Sequence, residues 1–208
     1  MKKILALVLA LTMVMAMAAC TPATNNDATN GTTEATTEAT TEATTGNNTT
    51  LTYATALELL NAVWAAFPEE GKFPVMGGDE ANANWEGPGK VELPGAEGNA
   101  LWNLNIPEDQ LANFTEAATL IHAMNTNTFA GCALKLAEGA DKTAVAAAIK
   151  DGILGTHWMC GFPERMIVAS VGNYLVVAFG HEGNITNLQN ALTAVDAGTQ
   201  ILHSEVIR

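Results

Sequence analysis

The run "RMIVASVGNYLVVAFG" (residues 165–180) decides the fold. Two halves rich in Val, Ile, Leu and aromatic residues flank Gly172-Asn173, a dipeptide suited to a two-residue hairpin turn because both residues tolerate positive φ. Neither half alternates apolar with polar. Leu175, Val177 and Phe179 would lie on one side of the second strand, and Tyr174, Val176 and Ala178 on the other. Strands apolar on both faces need cover on both faces.

Working outward, "TNTFAGCALKLA" (126–137) reads as a strand, with Ala130, Cys132, Leu134 and Leu136 alternating against Phe129, Gly131, Ala133 and Lys135. Asp141 suits the N-cap of "KTAVAAAIKDGIL", whose Val145, Ala148, Ile149 and Ile153 share a face. Beyond the hairpin, Asn184 is the expected cap of "ITNLQNALTAV", Gly198 its C′ residue, and "TQILHSEVI" a closing strand. The order β-α-β-β-α-β implies an α+β fold with a ferredoxin-like antiparallel sheet and both helices on one face. The second cover is expected from two further N-terminal helices. One is "YATALELLNAVWAAF" (53–67), with Leu57, Leu60, Trp64 and Phe67 inward. The other begins at Pro107 and carries Leu111, Phe114, Ala118 and Ile121. A second copy packed on the sheet is the alternative cover. The Gly- and Pro-rich 68–106 stretch between these helices is long for a bare connection, so short strands or a functional loop are expected there.

The N-terminus carries the address. Lys2 and Lys3 precede the apolar run "ILALVLALTMVMAMAA", which is too short for a mature span and ends in "MAAC". This resembles the lipobox of bacterial lipoproteins, which implies a signal peptide over 1–19, a diacylglycerol on Cys20 and an extracytoplasmic chain held at the cell membrane by lipid. Residues 20–50 follow with a tandem TTEA repeat and no aromatic, Val, Ile, Leu or Met. Such a segment cannot bury enough apolar surface to order itself, so a disordered linker is expected. Residues 51–208 then form one domain.

With 22 acidic against 9 basic residues the net charge is −13, and loss of the signal's two lysines would deepen it. That excludes a phosphate-binding role on nucleic acid and a polybasic hold on anionic lipid.

The lipobox, the Thr/Glu linker, "FAGCALKLAEGADKTAVAAAIKDGI" and "WMCGFPERMIVASVGNYLVVAFG" together resemble a family of small clostridial and other Gram-positive lipoproteins that carry a domain of unknown function. The resemblance implies an envelope location and an α+β domain. It transfers no activity to any residue.

The chemistry-bearing candidates are few. "GTHWMCGFPERM" (155–166) brings His157, Trp158, Cys160 and Arg165 close in sequence. A thiol–imidazole pair at His157 and Cys160 is the minimum for a cysteine nucleophile, but no family signature surrounds it, and an apolar setting makes a thiol inert. A structural role is expected instead: "HWMC" sealing the core edge, with Arg165 paired to a local acid. Cys132 and Cys160 are the two cysteines left after lipidation and could bridge. For metal, His157 and Cys160 could be two ligands, with Cys132, His122, His181 or His203 as others, but no CxxC or HExxH spacing is present. "GDEANANWE" fails the EF-hand pattern, leaving only a loose calcium cluster of Asp79, Glu80 and Glu86 to consider. No cofactor is expected.

These features point to a surface-tethered, non-catalytic binding or interaction module. Its expected partner is an envelope protein, or a small molecule or glycan held by the 68–106 stretch. There Trp85 and Trp102 would supply stacking planes, and Asn82, Asn84 and Asn103 amide contacts. The competing readings are an envelope enzyme using Cys160 and His157, and an accessory subunit of a membrane complex.

Overall fold

The computed structural model describes residues 53–93, 101–159 and 161–207. The expected signal peptide, Cys20 and the linker lie outside the described residues, as does Cys160.

One antiparallel sheet carries the domain. Its strands are β1 (Val75–Met76), β2 (Gly89–Val91), β3 (Phe114–His122), β4 (Phe129–Leu136), β5 (Arg165–Val171), β6 (Tyr174–Gly180) and β7 (Gln200–Val206). Three helices accompany it: α1 (Ala56–Ala65), α2 (Lys142–Leu154) and α3 (Glu182–Val195). The spatial order is β1-β3-β4-β6-β5-β7, with β2 also on β3.

The hairpin forms as its sequence dictates, with Ser170 opposite Leu175 and Val171 opposite Tyr174. Only Gly172 has positive φ, at 54°. The turn therefore needs glycine at its first central position, as in a type II′ turn, and Asn173 serves otherwise. Its side-chain Nδ2 donates to the Leu136 carbonyl at 3.0 Å, tying the turn to the end of β4.

The four later strands depart from the ferredoxin-like expectation. β7 pairs with β5 at the far edge, and the strand that would lie beside it in that fold, β4, pairs with β3 and β6 instead. The physical consequence is the placement of the helices. The β4-α2-β5 and β6-α3-β7 crossovers run the same way along the sheet from oppositely directed strands. A right-handed crossover then puts their helices on opposite faces. So it is observed: α2 buries Val145, Ala146, Ile149 and Ile153 with Cys132, Leu134, Met166, Val168, Leu175 and Val177. On the other face α3 buries Ile185, Leu188, Ala191 and Leu192 with Ile167, Ala169, Val176 and Ala178. The doubly apolar hairpin thus finds both covers within the chain.

α1 joins α3 on its face. Thr55 caps it, its hydroxyl accepting from Glu58 N at 3.1 Å. The buried stripe is Ala56, Leu59, Leu60 and Val63, rotated from the expected one, so Leu57 and Trp64 only flank the core. Each fully buried Leu or Val there contributes about 1.5–3 kcal/mol. Asp141 caps α2 as expected, accepting from Thr143 N and Ala144 N. Asn184 is not a cap. It lies inside α3, whose N-cap is His181, and its Nδ2 reaches the Thr128 carbonyl at 3.1 Å. Gly198 is not a helical C′ either: its N–H donates to Asp196 Oδ1 at 2.7 Å in the turn before β7.

The expected helix from Pro107 is the main correction. Residues Glu108–Asn113 form a short 3₁₀ helix, and Phe114–His122 is strand β3. The i, i+3, i+7 spacing that suggested a helix belongs to a strand in the sheet interior. β4 lies on one side of it, and β1 and β2 lie on the other. Ala117, Ala118, Thr119 and Leu120 are consecutively buried, a pattern that has no period to read.

Candidate functional site

The described part of "GTHWMCGFPERM" does not close over the core as expected. Trp158 is half-buried and packs edge-on against Phe179 with ring centroids 4.8 Å apart, while Pro163 and Met166 are buried. His157 is exposed, and Met159 and Phe162 stand 74 % and 68 % exposed. Arg165 pairs with an acid, Glu182, at 3.0 Å and lies on Ser204 Oγ at 3.4 Å. Cys132 has no disulfide partner among the described residues; it is wholly buried on the α2 face, and burial pushes its pKa far up. It is unfit as a nucleophile. Its candidate bridge partner Cys160 lies outside the described residues.

The 68–106 stretch carries short strands as expected, β1 and β2. Trp85 is 69 % exposed. The amides chosen beside it are spent on holding the loop. Asn82 donates through N and Nδ2 to Asp79 Oδ1, Asn84 Nδ2 donates to the Pro88 carbonyl, and Asn84 Oδ1 accepts from Glu86 N. Asp79 is likewise a structural residue. Burial raises its pKa, but hydrogen bonds from Glu92 and Asn82 outweigh that and hold it below the usual carboxylate range. No group of three His, Cys, Asp or Glu side chains able to hold a metal occurs among the described residues. Of Trp102 only the backbone is described, in a 3₁₀ turn, Trp102–Leu104.

What the fold does assemble is a groove of about 530 Å³ at one end of the sheet. Three segments wall it. The first is the β3–β4 turn, His122 to Asn127. The second is the loop after α2, with Thr156, Trp158 and Met159. The third is the turn carrying Asn103 and Asn105, with Met76 of β1 beside it. The walls are held by specific contacts. Asn127 Nδ2 donates to the Met159 and Gly161 carbonyls at 3.4 and 3.1 Å, clamping the second wall to the first. Asn125 Oδ1 accepts from Asn127 N at 3.0 Å and shapes the turn. His122 Nδ1 accepts from Met124 N and Asn125 N at 3.1 and 3.2 Å, which leaves the ring's proton on Nε2. Its ring stacks on Phe73 at 5.2 Å. Asn105 has φ 54°, the one non-glycine positive φ among the described residues, and asparagine is among the few residues that accept it.

Three properties of this groove bear on chemistry. Its described lining residues include no Asp, Glu, Lys or Arg, in a chain of net charge −13. Among the described residues its lining sets His122 with two threonines, Thr126 and Thr156, and holds no Ser, Cys or carboxylate, so the described lining lacks the two carboxylates of glycoside hydrolysis. And Trp158 Nε1 is buried with no hydrogen-bond partner, a cost of about 1–3 kcal/mol at the groove wall. The sequence singled out Trp158 for another reason and passed over Asn105, Asn125 and Asn127, which acquire meaning only when three turns meet. Comparison of the chain with protein-family models, curated proteins and solved structures found no match.

Proposed function

We propose that the chain is a lipid-anchored, extracytoplasmic binding module without catalytic activity, whose ligand sits in the groove between the 122–127, 156–159 and 103–105 segments. The lipobox-like "MAAC" and the TTEA tract support the tether. The observation that carries the binding half is the groove itself. It is of ligand-pocket volume and is walled, among the described residues, by uncharged amide, hydroxyl, imidazole and thioether groups with no carboxylate or lysine.

Two measurements test this. Metabolic labelling with an alkynyl fatty acid should tag the mature protein and fail for Cys20→Ala; equal labelling of both would remove the anchor. For the groove, the indole N–H resonance of Trp158 should shift on titration with a bound neutral ligand that is recovered chemically intact. Turnover of any ligand that shifts this resonance would refute the non-catalytic reading.

A further inference from the structure

Resting on the binding-module reading, we infer that the groove recognises a chain of N-acetylated amino sugars through their acetamido groups. The inventory of hydrogen-bonding atoms left over after the fold is satisfied leads there. The Asn103 and Asn105 amides have no partner among the described residues, and Asn125 keeps its Nδ2 donor free because only its oxygen is used in the turn. Asn127 is the reverse: its Nδ2 is committed to two carbonyls and its oxygen remains to accept. His122 presents an Nε2–H. The groove therefore offers donors and acceptors in near balance, all uncharged. An amide ligand matches that set, since one acetamido group brings one N–H and one C=O to a side-chain amide. A carboxylate, phosphate or ammonium would enter without a counter-charge and pay for desolvation.

The remaining walls fit the rest of such a ligand. Met124 and Met159 stand 82 % and 74 % exposed at the groove, a costly place for apolar side chains with no partner. Flexible thioethers adapt to irregular apolar surfaces, and acetamido methyls and the C–H faces of sugar rings supply them. The buried, unpartnered Trp158 Nε1–H belongs to the same wall as Met159. Because Met159 is not fixed by packing, a ligand carbonyl can displace it and reach that donor, satisfying a group the free protein leaves unbonded. A plain neutral polysaccharide would bring hydroxyls but neither the planar amide nor the methyl.

The test is calorimetric titration of the mature chain with chitohexaose and with cellohexaose, which share a backbone and differ in the acetamido group. Trp158 indole N–H shifts are followed in parallel. Chitohexaose is expected to bind at least tenfold more tightly and to move the Trp158 resonance. Asn103→Asp and Asn125→Asp, which keep shape and remove donors, should each weaken it by about tenfold, on the scale of one or two lost hydrogen bonds. Equal affinity for the two sugars would overturn acetamido recognition while leaving the groove as a general binding site. Absence of binding by either sugar would overturn the inference alone. Chitohexaose binding that ignores both variants and leaves Trp158 unmoved would place the ligand elsewhere and overturn the groove reading with it.

Discussion

Replacing Gly89 with alanine tests the packing that holds the groove's β1 wall. The backbones of Gly77 and Gly89 touch where β1 and β2 meet above β3. A Cβ on Gly89 would stand 2.4 Å from Gly77 C and from Gly78 N, and 2.5 Å from Gly77 O, all main-chain atoms. Ordinary carbon contacts need the two segments to part by about 1 Å. The three β2–β3 register pairs, Gly89–Thr119, Lys90–Ala118 and Val91–Ala117, cannot follow intact. Neither can the 2.8 Å bond from Gly78 N to the buried Thr119 hydroxyl. Val91, now 1 % exposed, would be partly uncovered. One or two lost hydrogen bonds and most of one valine's burial sum to a destabilisation of about 3–5 kcal/mol. Urea denaturation of the mature chain measures it, with amide exchange at Val91 reporting whether β2 peels first. Gly183→Ala is the control: a Cβ there meets nothing within 4 Å, and the residue is helical, so stability should rise by up to about 1 kcal/mol. A Gly89→Ala loss below about 1 kcal/mol with β2 still protected would refute the steric argument.

Other expectations follow from the same geometry. At Glu116 burial raises the pKa, but hydrogen bonds from Lys135 and Ala56 N, with the lysine's charge, outweigh it and hold the group below its usual value. A depressed carboxylate stabilises above its unfolded pKa of about 4.3 and loses that contribution as pH falls through the folded value. Acid titration of stability should therefore be shallower in Glu116→Gln. Native Cys132 should resist iodoacetamide until the chain unfolds, because the thiol is wholly buried. Thiol counting before and after denaturation reads this, and the same count shows whether Cys160 is bonded to it. Phe129→Ala should cost about 3–5 kcal/mol in chemical denaturation, since that ring lies 6.1 Å from Phe67 and 5.2 Å from Phe73 at 1 % exposure.

The later half of the fold was legible because its signals are local. Asp141 before an apolar-striped helix, Gly172-Asn173 between apolar runs, and the β-rich 129–136 stretch each fix their element within a few residues. Strand order was not legible. The same six elements can place β7 beside β4 or beside β5, and only long-range pairing chooses. β3 was misread because a strand enclosed on both sides has no polar period to betray it. The groove residues were hidden for a related reason. Asn103 and Trp158 were each singled out in the sequence, but apart from one another and from Asn125; they come from three turns that the sequence separates and the sheet brings to one end. Of the other asparagines it favoured, Asn82 donates to the Asp79 carboxylate and Asn84 to the Pro88 carbonyl, within their own loop.

The two-sided burial of β4, β5 and β6 carries a consequence for how the chain reaches its native state. In a sheet wetted on one face, a strand displaced by one residue exposes its oily side and buries its polar one, so error is punished heavily. Here a slipped β6 would still meet hydrocarbon above and below, and would lose only the fit of large against small. Correct alignment must then be proofread by shape, with Gly131 as one such keyhole, where an added Cβ would come within 3.2 Å of the Phe129 ring and 3.4 Å of Ala178 Cβ, and by the hairpin that fixes where the count begins. Refolding should accordingly show compact, misaligned species that anneal late. Mutations that even out side-chain size along these strands should slow that annealing more than they lower final stability.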